Sequence, residues 1–140
     1  MQASSWTRCA TCGFELHHPI RQLPATSLGL YDDDRYPGRC ILVYKDHRED
    51  FETLDPAEAR EFLEDMQRAA RAIRAATGAD RMNFAVLGNA VPHLHAHLIP
   101  RIRKGDPIPS KSPWSHPDPA GSLAPVDRAK LIAAIQRELD

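Results

Sequence analysis

The sequence predicts an α+β fold with a mainly antiparallel sheet, one long helix and a C-terminal helix. Three observations lead to this class: two pairs of short β-prone runs, a long amphipathic pattern between the pairs, and a shorter amphipathic pattern at the end of the chain. Strands joined by short links favour antiparallel neighbours. A chain of 140 residues suits a single domain with a modest core.

The first strand pair follows an N-terminal segment, residues 1–25, that we expect to be irregular because it is rich in Cys, His and Pro. The stretch "TSLGLYDDDRYPGRCILVY" predicts a β-hairpin with strands at 26–31 and 39–44 around a polar turn. The run Cys-Ile-Leu-Val-Tyr is apolar throughout, which is typical of a strand covered on both faces.

The clearest helix begins just after Asp55. Asp55 is a good N-cap, Pro56 suits the first helical position, and Glu58 lies three residues after Asp55 as in a capping box. Gly78 is a natural C-terminal stop. Apolar residues recur between these points at spacings of three and four, which predicts one buried stripe: Ala59, Phe62, Leu63, Met66, Ala69, Ala70 and Ile73.

The second strand pair is expected at residues 81–87 and 93–99, which completes a core spanning 26–103. A Pro-rich tail at 104–125 should be extended and poor in regular structure. A final amphipathic helix is expected at 126–139. The whole chain, 1–140, is therefore interpreted as one domain.

The composition argues against several classes of partner. The chain is 42% hydrophobic and 26% charged, as in ordinary globular proteins, and its formal net charge is −1. That charge gives no general attraction to nucleic acids or acidic membranes. No apolar run approaches the roughly 20 residues that span a bilayer, and the N-terminus lacks a secretory signal pattern. We expect a cytoplasmic protein with no membrane or nucleic-acid partner.

Three histidines alternate with apolar residues in "HLHAHLI". In an extended strand, alternate side chains leave the same face, so His93, His95 and His97 should share one face, about 7 Å apart at their bases. Leu94 and Ala96 should face the core. A face with three titratable rings indicates a polar site.

Two kinds of chemistry fit three imidazoles on one strand. Histidines at this spacing can bind a metal, although a catalytic metal site usually has a carboxylate nearby and none occurs between Asp80 and Asp106. Alternatively, a neutral imidazole whose tautomer is fixed by a hydrogen bond is a nucleophile toward phosphorus near pH 7. His95, flanked on both sides, is then the natural nucleophile.

"HLHAHLI" resembles the His-φ-His-φ-His-φ-φ signature of the histidine triad (HIT) superfamily, where φ is apolar. "RCILVYKDH" and "MNFAVLGNAVPHLHAHLIPR" are also similar to segments of small bacterial members, so the resemblance covers about residues 26–103. It implies the HIT-like fold and nucleotide hydrolysis at an α-phosphate, through a nucleotidyl-histidine intermediate that needs no cofactor. The substrate would be a dinucleoside polyphosphate or a nucleoside phosphoramidate.

The same resemblance implies roles for individual residues. His95 would attack phosphorus, His97 would contact the phosphate and assist the leaving group, and the main chain of His93 would orient His95. Asn89 stands where many members carry a Gln that holds phosphate or leaving-group atoms, and Asp33 would bind ribose hydroxyls. The third histidine favours a hydrolase over a transferase.

The resemblance also implies a homodimer that takes a purine nucleotide or a dinucleoside polyphosphate. Two other functions stay open: a metal-dependent hydrolase that uses the same histidines, and a nucleotide-binding or adaptor protein with little turnover.

Cys-x-x-Cys with two histidines is a sound tetrahedral zinc shell. Some bacterial members of the family close a structural zinc with the histidine of their Lys-x-His motif and the first triad histidine. The corresponding set here is Cys9, Cys12, His47 and His93. His17 and His18 are other ligands that the N-terminal segment offers, and reduced free thiols are the alternative to zinc.

Basic residues follow the triad: Arg101, Arg103, Lys104 and Lys111. They could form a rim that steers polyphosphate, or an ordinary solvated tail. Trp114 could cover the pocket or anchor the tail.

Overall fold

The computed structural model describes residues 7–140 as a five-stranded antiparallel sheet with two helices. The sheet has the strand order β1-β2-β3-β5-β4. The elements, in chain order, are β1 (Pro19–Gln22), β2 (Thr26–Leu30), β3 (Cys40–Tyr44), α1 (Pro56–Thr77), β4 (Arg81–Ala85), β5 (His95–Arg101) and α2 (Pro125–Leu139). The predicted α+β class with a mainly antiparallel sheet is confirmed.

The N-terminal segment contains more regular structure than its sequence indicates. Strand β1 pairs with β2, and Arg8 forms an isolated bridge with Glu15. Within β1 only Ile20 is buried, and the strand begins at a proline on the sheet edge. A four-residue edge strand with one buried side chain lacks the alternation that a sequence pattern needs, so the prediction of irregular structure through residue 25 is wrong at this point.

Helix α1 begins and ends where its local signals predict. The Asp55 carboxylate accepts from the Glu58 amide at 2.9 Å, and the Glu58 carboxylate accepts from the Asp55 amide at 2.9 Å. Gly78 follows the helix in the left-handed region with φ of 71°, where glycine has no steric cost. Both halves of the capping box are therefore formed.

The two faces of the sheet have different coverings. Alternate residues of β3 face the helices, where Leu42 and Tyr44 join the main core with Phe62 and Ile73 of α1. The residues between them, including Val43, pack on the other face against the N-terminal segment, in a small cluster completed by Phe14, Leu16 and Ile41. Strand β3 is thus covered on both faces, as its unbroken apolar run predicts.

The register between β3 and β5 sets the position of the histidines. Val43 lies opposite His95 and Ile41 lies opposite His97, so both imidazoles are on the face away from the helices. Ala96, between them, belongs to the helix-side core. Strand β5 begins at His95, two residues later than predicted, so His93 lies just before the strand.

The tail beyond β5 is held by the buried side chain of Arg101. Its guanidinium binds the Asp106 carboxylate, the Asn83 side chain and the main-chain oxygens of Ile108 and Lys111. Arg101 is only 6% exposed, so it anchors the tail and is unavailable as a steering charge on a basic rim. Within residues 7–140, neither helix combines the length and apolar character needed to span a membrane.

Candidate functional site

His95 is the first residue of β5 and is held in one tautomer by the backbone. Its Nδ1 lies 2.6 Å from the main-chain oxygen of His93. A carbonyl oxygen only accepts hydrogen bonds, so Nδ1 donates, and in the neutral ring the lone pair is at Nε2. The side chain is 6% exposed, and the ring of Phe14 lies 5.5 Å away between centroids. His95 therefore presents an unprotonated Nε2, the ring nitrogen that can act as a nucleophile, in a largely buried position.

His97 lies two residues further along β5, and its Nδ1 faces a hydrogen-bond donor, whereas Nδ1 of His95 faces an acceptor. Its Nδ1 is 3.1 Å from the Arg39 NH2 group. Burial, the Arg39 charge and the nearby His95 lower the pKa of His97 to about 4. His97 is therefore neutral at physiological pH. The ring of Trp114 packs edge-on against it at 5.4 Å, and Tyr31 lies 5.7 Å away on another side.

Arg39 is fixed by a carboxylate that the sequence suggested for another role. The Asp33 carboxylate is fully buried and accepts from Arg39 at 2.9 Å and from the Arg35 guanidinium at 2.9 Å on each oxygen. Burial opposes ionisation of Asp33, but these hydrogen bonds outweigh it and lower its pKa below the usual value. We call Asp33, Arg35 and Arg39 the arginine–aspartate network.

This placement of Asp33 differs from the expected ribose contact. Its two oxygens face the arginines inside the protein and are closed to solvent, so it offers no exposed acceptor to a hydroxyl. The neighbouring aspartates bind the C-terminal tail: Asp32 accepts from the Leu123 amide and from Arg128, and Asp34 accepts from the Gly121 amide. The acidic turn therefore connects the sheet to the C-terminal part of the chain through these hydrogen bonds.

His93 faces the N-terminal segment, on the other side of His95. Its Nε2 lies 2.8 Å from the main-chain oxygen of Tyr44, which makes Nε2 the donor, and its Nδ1 lies 3.5 Å from the Cys12 sulfur. The Cys9 sulfur lies 3.7 Å from Nδ1 of His47. One atom from each of these side chains falls within a group no wider than 4.8 Å. We call Cys9, Cys12, His47 and His93 the cysteine–histidine cluster.

The cluster has the chemistry of a metal-binding site. Tetrahedral zinc with Zn–S near 2.3 Å and Zn–N near 2.0 Å requires ligand atoms roughly 3.5 Å apart, close to the spacings here. Each histidine also directs its second nitrogen to an oxygen, from Tyr44 for His93 and from Glu49 at 3.7 Å for His47, as is usual for metal-ligating imidazoles. The residues can therefore hold a metal ion.

The Cys9 thiol has an acidity suited to metal binding. Burial opposes its ionisation, but hydrogen bonds from the Cys12 and Thr11 amides and from His47 lower its pKa to about 6. A thiolate is the form that ligates metals. Cys40 contrasts with it, because complete burial raises the pKa of its thiol and leaves it inert.

The remaining predicted residue, Asn89, is apart from this arrangement. It is exposed in the loop between β4 and β5, and no hydrogen bond within residues 7–140 ties its amide to the histidines. Conversely, sequence reasoning missed Arg39 and Phe14. An arginine directly before the buried strand, preceded by an acidic turn, is the signal that could have drawn attention to Arg39.

Comparison with known proteins points to one family. The protein-family model described as HIT domain matches residues 20–104, which is more than half of the chain and includes all three alternating histidines. Among curated proteins the search finds no significant match.

Solved structures of histidine triad proteins have the same fold. A protein from Sinorhizobium meliloti is 28% identical with a TM-score of 0.78, over 86% of this chain and 88% of that one. A protein from Bradyrhizobium japonicum is 27% identical with a TM-score of 0.79, over 87% and 90%. A zinc-bound family protein from Mycobacterium smegmatis is 24% identical with a TM-score of 0.63, over 86% and 82%.

Proposed function

The chain belongs to the HIT domain family, and from this membership we propose that it hydrolyses nucleotides at the α-phosphate through His95. The family supports a nucleotide-binding or hydrolase-type role. The proposed substrates are dinucleoside polyphosphates or nucleoside phosphoramidates, with a purine base. Both classes share the attacked phosphorus and differ in the leaving group.

The tautomer of His95 is the observation that supports this proposal most directly. With Nδ1 donating to the His93 carbonyl, the Nε2 lone pair can attack the α-phosphorus. A P–N bond to Nε2 forms as the P–O or P–N bond to the leaving group breaks, and the leaving group takes the electron pair and, where it is an amine, a proton from solvent. Water then attacks the same phosphorus, the bond to Nε2 breaks, and the nucleoside monophosphate leaves with His95 restored.

The flanking histidines have supporting roles in this scheme. His97, which is neutral with its Nδ1 facing Arg39, can donate a hydrogen bond from Nε2 to a phosphate oxygen. The main-chain oxygen of His93 keeps the His95 ring oriented. The exposed Asn89 is proposed to reach the phosphate or leaving group only when substrate fills the site, which requires its loop to move.

A substrate panel with matched variants tests the proposal. Wild type, His95→Ala and His116→Ala are compared on a diadenosine polyphosphate and an adenosine phosphoramidate, with metal chelator present. His116 is a suitable control because its ring packs against Tyr36, and among the described residues it has no ring contact with His93, His95 or His97. We expect turnover by wild type and His116→Ala, and a loss of more than about 10³-fold in His95→Ala, since a covalent nucleophile is removed.

The covalent intermediate provides the second measurement. Rapid acid-free quenching and mass spectrometry of wild type should show a nucleotide on the peptide that contains His95. Equal rates in wild type and His95→Ala would overturn the mechanism. Activity that disappears with chelator from a still folded protein would favour the metal-dependent hydrolase, and binding without turnover would favour the adaptor.

Zinc is the metal that the cysteine–histidine cluster fits best, and we propose it as a structural ion with no part in the reaction. Two thiols and two imidazoles are a common closed zinc shell. The ion would connect the N-terminal segment to His93, whose carbonyl orients His95. The zinc-bound M. smegmatis protein has the same fold.

A homodimer is proposed from the apolar surface along the edge strand. β4 ends the sheet, and large exposed side chains lie on it and just after it: Phe84, Val86 and Leu87, each 43–53% exposed. An exposed apolar edge is suited to pairing with a second copy of this chain. A monomeric mass by light scattering at micromolar concentration would contradict this assignment.

A further inference from the structure

We propose that Arg39 is a positioning residue of the candidate site, which holds His97 in the Nε2–H tautomer and is itself oriented by Asp33. This inference rests on the proposed function for its kinetic consequence, whereas its effect on the His97 ring stands on the geometry alone. Neither the alternating histidines nor the family match assigns a role to Arg39.

The first step is the fixed position of the guanidinium. Arg39 is 4% exposed, and its NH1 donates to Asp33 while its NH2 lies against Nδ1 of His97. The guanidinium carbon is 3.9 Å from the centroid of the Tyr31 ring and 5.4 Å from that of Trp114. The two aromatic rings and the buried Asp33 carboxylate thus restrict the Arg39 guanidinium to one orientation.

The second step follows from donor chemistry. A guanidinium has only N–H donors and stays protonated at any pH that a folded protein tolerates. Nδ1 of His97 must therefore accept, which requires the proton of the neutral ring to be on Nε2. A protonated imidazolium would direct an N–H at the guanidinium, so the same contact opposes protonation.

The third step concerns the effect on a bound phosphate. A neutral imidazole with its proton on Nε2 can donate to a phosphate oxygen, whereas the other tautomer would present a lone pair to the same anion. The positive charge behind the ring, on Arg39, polarises this donor. His97 then acts as a hydrogen-bond donor, and the nearby charge that favours phosphate comes from Arg39.

The polar contacts of Arg39 are more specific than packing on this face of the sheet requires. Its Nε is buried and makes no hydrogen bond among the described residues, so its polar contacts are concentrated on Asp33 and His97. Arg35 binds Asp33 through both oxygens, which means that Asp33 has a charge partner without Arg39. The contact that depends on Arg39 is the one to His97.

The first test determines the tautomer of His97 by NMR, in wild type and in Arg39→Met. In ¹⁵N-histidine-labelled wild type at pH 7, with His97→Ala used only to identify the His97 signals, we expect a protonated Nε2 and an unprotonated Nδ1. Arg39→Met, which keeps side-chain length without donors, should add the Nδ1–H form. A wild-type His97 ring that is an imidazolium or carries its proton on Nδ1 would overturn the proposal.

The second test separates positioning from general stability. On a substrate that wild type hydrolyses, we expect Arg39→Met to lower kcat/KM about 10- to 100-fold, in the range for a misplaced transition-state donor. Arg39→Lys keeps the charge, but a single ammonium cannot contact Asp33 and His97 together as the planar guanidinium does. Its kcat/KM should therefore lie between those of wild type and Arg39→Met. In a double-mutant cycle, Arg39→Met should have little further effect once His97 is Ala.

Independent outcomes distinguish this inference from the proposed function. Wild-type activity in Arg39→Met, or a full additional loss in the His97→Ala background, would overturn the positioning role while leaving His95 as the nucleophile. If wild type hydrolyses no substrate, the proposed function fails. The His97 tautomer measured in wild type and in Arg39→Met still decides whether Arg39 determines that tautomer. If Arg39→Met does not fold, the wild-type spectrum and Arg39→Lys provide the decision.

Discussion

His95 lies between two regions that place the Nδ1 atoms of the flanking imidazoles against chemically different partners. In the cysteine–histidine cluster, His93 donates from Nε2 to a backbone oxygen and turns Nδ1 toward a thiol. In the arginine–aspartate network, His97 turns Nδ1 toward a guanidinium donor. Histidines that alternate identically in sequence thus acquire different chemistry from partners distant in the chain.

The two regions also differ in the kind of interaction that holds them. The cysteine–histidine cluster offers soft, neutral or thiolate ligands to a cation, and its own atoms are connected by contacts of 3.5–3.7 Å. The arginine–aspartate network is a closed set of charge-assisted hydrogen bonds near 2.9 Å. The first should depend on an added ion, whereas the second should be complete in the protein alone.

Removing the Asp33 charge should have the largest effect, and it should affect only one of the two regions. Asp33→Asn leaves Arg39 buried without a carboxylate, and losing one partner of a buried pair costs about 3–5 kcal/mol in the free energy of unfolding. Urea denaturation measures this loss. Asp34→Asn is the matched control, because that exposed side chain binds one backbone amide and should cost less than about 1 kcal/mol. Equal stabilities of the two variants would contradict the structural role of Asp33.

Zinc should stabilise the other region by a comparable or slightly smaller amount. An ion at a thousand times its Kd stabilises the native state by about 4 kcal/mol, less any binding to the unfolded chain, so Tm should rise with zinc and fall with chelator. Cys12→Ser should lose this response because it removes a ligand. His17→Ala is the control, since His17 is an exposed histidine of the same segment outside the cluster. An equal loss of zinc stoichiometry in both variants would point to a different ligand set.

Acid should weaken the protein through His97 by a smaller amount. Its folded-state pKa of about 4 lies below the ordinary 6.5, so between these values the unfolded state binds more protons and stability falls as pH falls. We expect a loss of about 1–2 kcal/mol between pH 7 and pH 5 that is absent from His97→Phe. The measurement is urea unfolding without added metal. Asp33, whose pKa is lowered, contributes stability that is lost only below its usual value of 3.8, outside this range. Parallel pH profiles in both proteins would contradict the prediction.

Local signals were sufficient for some elements and insufficient for others. Helix α1 is bounded by Asp55, Glu58 and Gly78, whose effects act within a few residues, and its limits follow from the sequence. The apolar run of β3 also predicts its double covering. Strand β1 was missed because its pairing with β2, and not its own pattern, makes it a strand.

Some features of the candidate site likewise follow from the sequence, and others do not. The two-residue spacing of the histidines follows from the strand period, so the sequence alone was enough to identify His95 as the central ring of a triad. The sequence could not assign the tautomer of any ring, because a tautomer depends on which atom faces each nitrogen. Asp33 shows the same limit, since burial beside two arginines changed an expected ligand contact into an internal ion pair.

The sequence by itself determined the fold class, the ends of the long helix and the face on which the imidazoles lie, because these depend on local periodicity and capping. Tertiary structure alone decided that Cys12 meets His93 and that Arg39 meets His97, contacts that join residues 81 and 58 positions apart. Hydrogen-bond donors and acceptors act over about 3 Å in space regardless of separation along the chain. The chemical difference between the three histidines therefore arises only when the sheet, the N-terminal segment and the acidic turn come together.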